Sequence, residues 1–273
     1  MTTKTQHLQN LVDSGVSRRR FARNMMIGGM GVAATAALST DDLLAQSGIT
    51  DVDILNFALN LEYLEGEFYT VATTGRRLSD IGIGITGTGK AGQTVGGSMV
   101  SMNDRLRVVA QQIALDEQVH VNFLRGALGN AAVAKPSINL NALGVGFGGV
   151  NEFFAVARAF EDLGVSAYGG AAPLVKNPAI LAAAAQIGLT EAQHAGVIRL
   201  IVSDLGQPVP LVDALDVPPL MTPNGRLFQV DGAGLSTIRT ASQVLAVAYG
   251  SATPGTRGGA FFPDGVNGVI AAV

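Results

Sequence analysis

Four stretches of this chain repeat apolar residues at intervals of three and four, the spacing that puts side chains on one face of an α-helix. The pattern predicts helices over about Asp51–Thr73, Met99–Leu128, Val150–Gly169 and Pro178–Leu205, with a shorter fifth over Ser236–Tyr249. Thr50 or Asp51 suits the first N-cap, and the second helix is expected to stop near Gly129-Asn130. Pro178 falls in the first turn of the fourth helix and Gly206 just past its end, the usual asymmetry of helix termini. Between them, 75–98 reads as a long loop or small hairpin inserted between helices one and two. The segment 207–235 holds five Pro and is expected to be irregular, and the Gly-rich tail 250–273 is expected to run extended over the surface. Four long helices with one apolar stripe each predict an all-α four-helix bundle.

Charged residues interrupt those stripes. The inward seam of the first helix reads Leu55, Ala58, Glu62, Glu65, Tyr69, and that of the second Leu106, Val109, Ile113, Glu117, His120, Leu124. The third reads Phe154, Ala157, Glu161, Gly164, Tyr168, and the fourth Ile180, Ala184, Ile187, Glu191, His194, Ile198, Ile201. Each Glu or His takes a core position with apolar neighbours on both sides. A carboxylate buried without a partner is costly, and Glu is almost never fully buried unpaired. No seam offers Lys or Arg at these levels. A pair of divalent cations would neutralise four carboxylates.

The spacing within the seams sharpens this. Glu117-x-x-His120 and Glu191-x-x-His194 each set a carboxylate and an imidazole one turn apart on one helical face, within reach of one ion. One such pair arises by chance; two on separate seams, with Glu62 and Glu161 on the other two helices, form the set that di-iron and di-manganese carboxylate bundles use. The set also repeats. Glu62 precedes Tyr69 by seven residues, Glu161 precedes Tyr168 by seven, and each such helix is followed by a Glu-x-x-His helix. Two matching hairpins would place one ion near each His, with some carboxylates bridging. The metal-ligand candidates are therefore Glu62, Glu117, His120, Glu161, Glu191 and His194, with Glu65 as an additional candidate. Tyr69, Tyr168 and Asp116 are candidates for hydrogen bonds that orient these ligands, Asp116 towards His194. Each has a plainer reading, as a core tyrosine or a surface carboxylate. Glu67 is expected to face solvent.

Composition narrows the chemistry. Cys is absent, which excludes disulfides, thiol catalysis and cysteine-held metals. Only three His occur, at 7, 120 and 194. The net charge of −3 comes without a basic patch interleaved with aromatics, so nucleic acid is not an expected partner. Two glycine motifs are decoys. Gly82-Ile83-Gly84-Ile85-Thr86-Gly87 fits a dinucleotide fingerprint by letters, and Gly84 to Gly89-Lys90 is a near miss of the P-loop with Ala91 at the Mg²⁺-binding position. Both need a preceding strand and a following helix, and neither context is present.

The N-terminus reads as a targeting segment. Ser17-Arg18-Arg19-Arg20-Phe21-Ala22-Arg23 resembles a twin-arginine export signal, and an apolar run from Met25 to Leu38 follows. That run is too short to span a bilayer comfortably. Small residues at Ala34-Thr35-Ala36 and at Leu44-Ala45 offer two cleavage points. The expected organisation is a signal over 1–45 and one domain over 46–273, its core bundle at 51–205 and an extension at 206–273. The resemblance implies the export machinery as a partner, a periplasmic or otherwise exported location, and no stable membrane insertion after cleavage. The twin-arginine route exports folded proteins, so a metal site could be filled in the cytoplasm before export.

The paired Glu-x-x-His helices with their partner Glu resemble the ferritin-like superfamily over roughly 51–205. Asn56-Phe57-Ala58-Leu59-Asn60-Leu61-Glu62-Tyr63-Leu64-Glu65, Gln243-Val244-Leu245 and Phe261-Phe262-Pro263-Asp264-Gly265 are similar to the branch of that superfamily that includes plant desiccation-related proteins. The resemblance implies a ferritin-like four-helix bundle holding two divalent ions, Fe or Mn. Two function classes follow. One is an exported oxidoreductase acting on O₂ or peroxide in the manner of ferroxidases or manganese catalases. The other is a non-catalytic structural or desiccation and stress-protective protein with the same bundle. An iron-storage cage is less expected, because the loops at 75–98 and 207–235 would interfere with cage contacts. A homo-oligomer is an open expectation.

Overall fold

The computed structural model describes residues 48–206, 212–220 and 225–273. The expected export signal and its cleavage points lie outside these residues. Five α-helices occur among the described residues: α1 (Asp51–Thr74), α2 (Asp104–Leu128), α3 (Val150–Ala171), α4 (Pro178–Leu205) and α5 (Ala241–Tyr249). α1 pairs along its length with α2, and α3 with α4; α1 meets α3 across the bundle, and α5 packs on α3. The expectation of an all-α bundle built from two helical hairpins holds. No helix among the described residues is long and apolar enough to cross a membrane.

Side-chain caps set the helix boundaries. Thr50 and Asp53 form a reciprocal capping box on α1, satisfying two of the N–H groups a helix start leaves open. Asn177 caps α4 ahead of Pro178, and Gly206 ends it at φ 63°, a left-handed conformation that glycine adopts without a Cβ penalty. Two starts differ from the spacing-based expectation. α2 begins at Asp104, not near Met99, because Asn103 accepts from the Leu106 N–H while Val100 donates its N–H to the Ala72 carbonyl. α5 begins at Ala241, not Ser236. Thr240 and Gln243 form its capping box, and Arg239 just before it donates its backbone N–H to the Ser166 carbonyl. Apolar spacing carries past a cap because residues leading into a helix can also bury apolar side chains.

The insertion between α1 and α2 is a loop with one short 3₁₀ turn and no hairpin. Its strand β1 (Thr94–Val95) pairs in parallel with β2 (Ile138–Asn139) from the α2–α3 connection. This covers α1 on the side expected to face water and overturns the reading of Glu67. Its side chain is 1% exposed, with Lys135 Nζ 3.7 Å away and the Leu78 N–H donating at 3.4 Å.

The tail is also placed differently from expectation. It turns back into the molecule: Phe262 is fully buried, and Phe261 meets Phe160 edge to face with ring centroids 4.9 Å apart. Asn267 exchanges hydrogen bonds with Asn60 on α1 and donates to the carbonyls of Lys90 and Ala134. A Gly-rich sequence says that the backbone can turn, not that it leaves the surface of the core.

Candidate metal centre

The bundle is continuous above and below one polar layer. Leu59, Phe68, Ile113, Leu124, Phe154 and Ile198 form its apolar floor and roof, all at most 2% exposed. Within the layer, α1 supplies Glu62 and Glu65, α2 Glu117 and His120, α3 Glu161, and α4 Glu191 and His194. Glu117, Glu161 and Glu191 are fully buried and Glu62 is 1% exposed. The structure thus brings together all six residues singled out by the seams.

They fall into two overlapping groups. Glu62, Glu117, His120 and Glu191 offer ligand atoms that all lie within 4.8 Å of one another, and so do those of Glu117, Glu161, Glu191 and His194. Such groups can hold metal ions. His120 Nδ1 lies 3.2 Å from Glu62 Oε2, 3.2 Å from Glu117 Oε2 and 3.4 Å from Glu191 Oε1. His194 Nδ1 lies 3.1 Å from Glu117 Oε1 and 3.3 Å from Glu161 Oε2. Glu117 and Glu191 therefore belong to both groups. The sequence repeat suggested two half-sites, Glu62 with Glu117 and His120, and Glu161 with Glu191 and His194. It did not specify that each Glu-x-x-His glutamate reaches the other's neighbourhood.

Apart from the 3.2 Å hydrogen bond between His120 Nδ1 and Glu117 Oε2, this proximity is not hydrogen bonding. Glu62 Oε2, Glu117 Oε1, Glu161 Oε2, both carboxylate oxygens of Glu191 and His194 Nδ1 are buried and have no hydrogen-bond partner. Leaving one buried polar atom unpaired costs on the order of 1–3 kcal/mol, more for a charge. Several such atoms converge on one interior point, which is what a cation-binding donor set looks like with its lone pairs turned inward. The oxygen and imidazole donors fit Fe, Mn or other borderline divalent ions.

Without an ion, protons must carry the compensating charge. Burial alone would lower the imidazole pKa values. The Glu117 hydrogen bond, and the close contact and charge of Glu62, outweigh it at His120 and push it up to about 10. Glu117 and Glu161 do the same at His194, to about 11. Burial, then the charge of Glu62, lifts Glu117 to about 7. Burial and the surrounding carboxylates hold Glu191 well above the usual range. Glu62 moves the other way: burial opposes ionisation, but the close contact with His120 and its charge outweigh it. The carboxylates outnumber the imidazoles, so the layer is electron-rich and holds protons that a metal would displace.

The surrounding bonds follow the same pseudo-twofold plan. Tyr69 on α1 donates to Glu161 Oε1 on α3 at 2.5 Å, and Tyr168 on α3 donates to Glu62 Oε1 on α1 at 2.5 Å. His194 Nε2 lies 3.2 Å from Asp116 Oδ2, leaving Nδ1 to face the cluster. Glu65 is 5% exposed and belongs to neither ligand group. Burial and then the charges of Glu117, Glu161 and Glu62 hold its carboxyl well above the usual range. Gly164 is the residue whose role spacing alone did not reveal. A Cβ there would collide with Glu191 Oε2 and come within 3.3 Å of Glu65 Oε1. The only signal for it was a glycine at a seam position inside a helix, where glycine is otherwise unfavourable.

A second charged layer lies beside the first and is self-contained. Arg199 Nη1 donates to Asp162 Oδ2 at 2.6 Å, and Arg158 Nη1 donates to Asp216 Oδ1 at 2.5 Å. This network ties 212–217 to α3 and α4 without touching the ligand groups.

Comparison with known proteins agrees with this geometry. No curated protein matches the chain. The family model described as a ferritin-like domain matches residues 50–204, which spans all four bundle helices and every candidate ligand. The chain belongs to the ferritin-like domain family.

Proposed function

We propose that this protein binds two divalent ions, Fe or Mn, and uses them in exported redox chemistry on O₂ or peroxide. The observation that carries the reading is the convergence of unpartnered buried ligand atoms from Glu62, Glu117, Glu161, Glu191 and His194. Glu62 and His120 would help hold one ion and Glu161 and His194 the other, with Glu117 and Glu191 belonging to both ligand groups. Such a pair, when bound, supplies electron transfer and Lewis acidity towards an oxygen-containing substrate. The chain's part is to fix the donors. Tyr69 and Tyr168 hold one oxygen of Glu161 and Glu62, which leaves the other oxygen of each for an ion. Asp116 holds the Nε2 side of His194, orienting Nδ1 inward. The apolar layers above and below exclude water.

The location belongs to the same proposal. Ser17–Arg23 and the apolar run after it support export in the folded state, with metal acquired beforehand. Replacing Arg18 and Arg19 together by Lys is expected to retain the protein in the cytoplasm, read by cell fractionation.

Elemental analysis of the protein purified from its own host is expected to give about two Fe or Mn ions per chain, following the ligand count. Glu117→Ala and His194→Ala are each expected to abolish stoichiometric binding. Negligible metal in the native protein and both variants alike would sink the reading. Adding Fe²⁺ with O₂, or peroxide, to the loaded protein then separates an oxidoreductase from a stress-protective protein, which would bind metal without turnover.

A further inference from the structure

A second cavity lies beside the metal layer and holds none of the six candidate ligands. It measures about 830 Å³ and is bounded by α3, α5 and residues 212–215. Its walls are mostly apolar, with Leu143, Val145, Ala155, Ala159, Leu215 and Ala246 among them. The charged side chains along it are already committed. Glu152 accepts from the N–H groups of Gly146 and Gly148 at 3.0 Å each. Arg158 donates to Asp216, and Asp213 accepts from two nitrogens of Arg239 at 2.7 Å each. An anionic ligand would find no uncommitted cation along this lining, and desolvating an unpaired charge is expensive. The volume lies in the range of small-molecule sites, roughly 300–1,000 Å³.

A smaller void continues inward. It holds about 20 Å³, room for one methyl group or one water, and is lined by Leu61, Leu64, Glu65, Leu163 and Gly164. Three side chains, Phe160, Val247 and Phe261, line both spaces. They form the partition between them, with Phe160 and Phe261 in edge-to-face contact. The inner void ends at Glu65 and at the Gly164 backbone against which Glu191 Oε2 rests. Three side chains thus separate the apolar chamber from an inner void that reaches the edge of the ligand layer.

The geometry points to a binding site for a neutral, elongated alkyl molecule. Its body fills the outer chamber, and its terminal methyl passes Phe160, Val247 and Phe261 to rest against Glu65. As the substrate of the centre, this molecule rests on the metal-centre reading; its binding does not. Ala155 and Ala159 line the outer chamber, and Val247 is the smallest of the three side chains that the methyl end would have to pass.

The test uses the purified full chain, with its metal content measured on every preparation. A neutral fluorophore, N-phenylnaphthylamine, is titrated and then displaced by dodecanol, with dodecanoate as the charged control. Saturable binding at one site is expected, displaced by the alcohol and not by the carboxylate. Ala155→Trp or Ala159→Trp is expected to weaken it at least about tenfold with metal content unchanged. Dodecanol carrying a diazirine at its methyl end is expected to label Leu61, Leu64 or Glu65 on irradiation, read by peptide mass spectrometry. Val247→Trp should move the label to outer-chamber residues. Non-saturable binding, wild-type affinity in both Trp variants, or labelling confined to the outer chamber in the wild-type chain would each overturn the proposal. A wild-type chain that binds the alcohol but holds no metal would overturn the centre alone.

Discussion

Tyr168 on α3 donates its phenolic hydrogen to Glu62 on α1 at 2.5 Å, and Tyr69 on α1 returns the same bond to Glu161 on α3. Each tyrosine lies seven residues after one candidate ligand yet holds the other. The two halves of the repeat are thus cross-braced, and each brace uses one carboxylate oxygen while leaving the second free. Tyr69 is fully buried and Tyr168 partly so, and burial of the phenol groups together with the neighbouring carboxylates keeps both well above their ordinary pKa. They act as donors only. Tyr168→Phe and Tyr69→Phe are therefore expected to retain the fold and to weaken metal binding by roughly 10–100-fold each, the usual effect of removing a bond that orients a ligand. Competition with a chelator of known affinity measures it.

Metal uptake should release protons. In the ion-free protein His120 and His194, pushed up to about 10 and 11, carry protons at neutral pH. An imidazole must lose its Nδ1 proton to bind an ion through that atom. Affinity should therefore rise with pH across the neutral range. Calorimetry at one pH in buffers of different ionisation enthalpy should show a positive proton release, and a binding enthalpy that does not change from buffer to buffer would contradict it.

Glu191 sets stability against function. Both its carboxylate oxygens are buried without hydrogen-bond partners. Glu191→Gln keeps the shape and replaces a carboxyl that burial and its neighbours already drive towards the neutral form. We expect an ion-free melting temperature equal to or above that of the parent chain. We also expect loss of the metal-induced increase, which in the parent grows as RT ln(1 + [L]/Kd). Thermal melts with and without added Mn²⁺ read both outcomes.

Gly164→Ala tests the space that Glu191 needs. The added methyl meets Glu191 Oε2, and a buried side chain cannot shift freely in a packed interior. Metal stoichiometry should fall while far-ultraviolet circular dichroism stays helical. An unchanged stoichiometry would mean that Glu191 does not need its present position.

Acid stability should depend on Asp213. Burial opposes its ionisation, but the Arg239 hydrogen bonds and charge outweigh this and hold its pKa below the ordinary 3.8. A depressed carboxylate contributes stability that is fully present above its unfolded pKa and is lost as pH falls through the folded one. The loss should therefore fall below about pH 3.8. Asp213→Asn should flatten that part of the stability curve, measured by urea unfolding at several acidic pH values.

Local spacing and composition decided a great deal here. The period of three and four identified the four bundle helices, and the Glu and His on their seams followed from the same register. Burial of unpaired carboxylates is so unfavourable that polar residues at core positions already implied a shared cation. Those inferences needed only the geometry of one helix at a time. What crosses between helices was decided by the tertiary structure. Glu117 and Glu191 reach both ligand groups because hairpin packing brings α2 and α4 to the same layer, a distance no linear spacing encodes. Glu67 is covered by an insertion whose strand pairs with a segment more than forty residues later, so its helical phase gave the wrong environment. The Gly-rich tail carries Phe261 and Phe262 back into the core, and the small void ending at Glu65 exists only where that tail, α1, α3 and α5 meet. Periodicity records which way a side chain leaves its own helix; only the packed chain determines what it meets there.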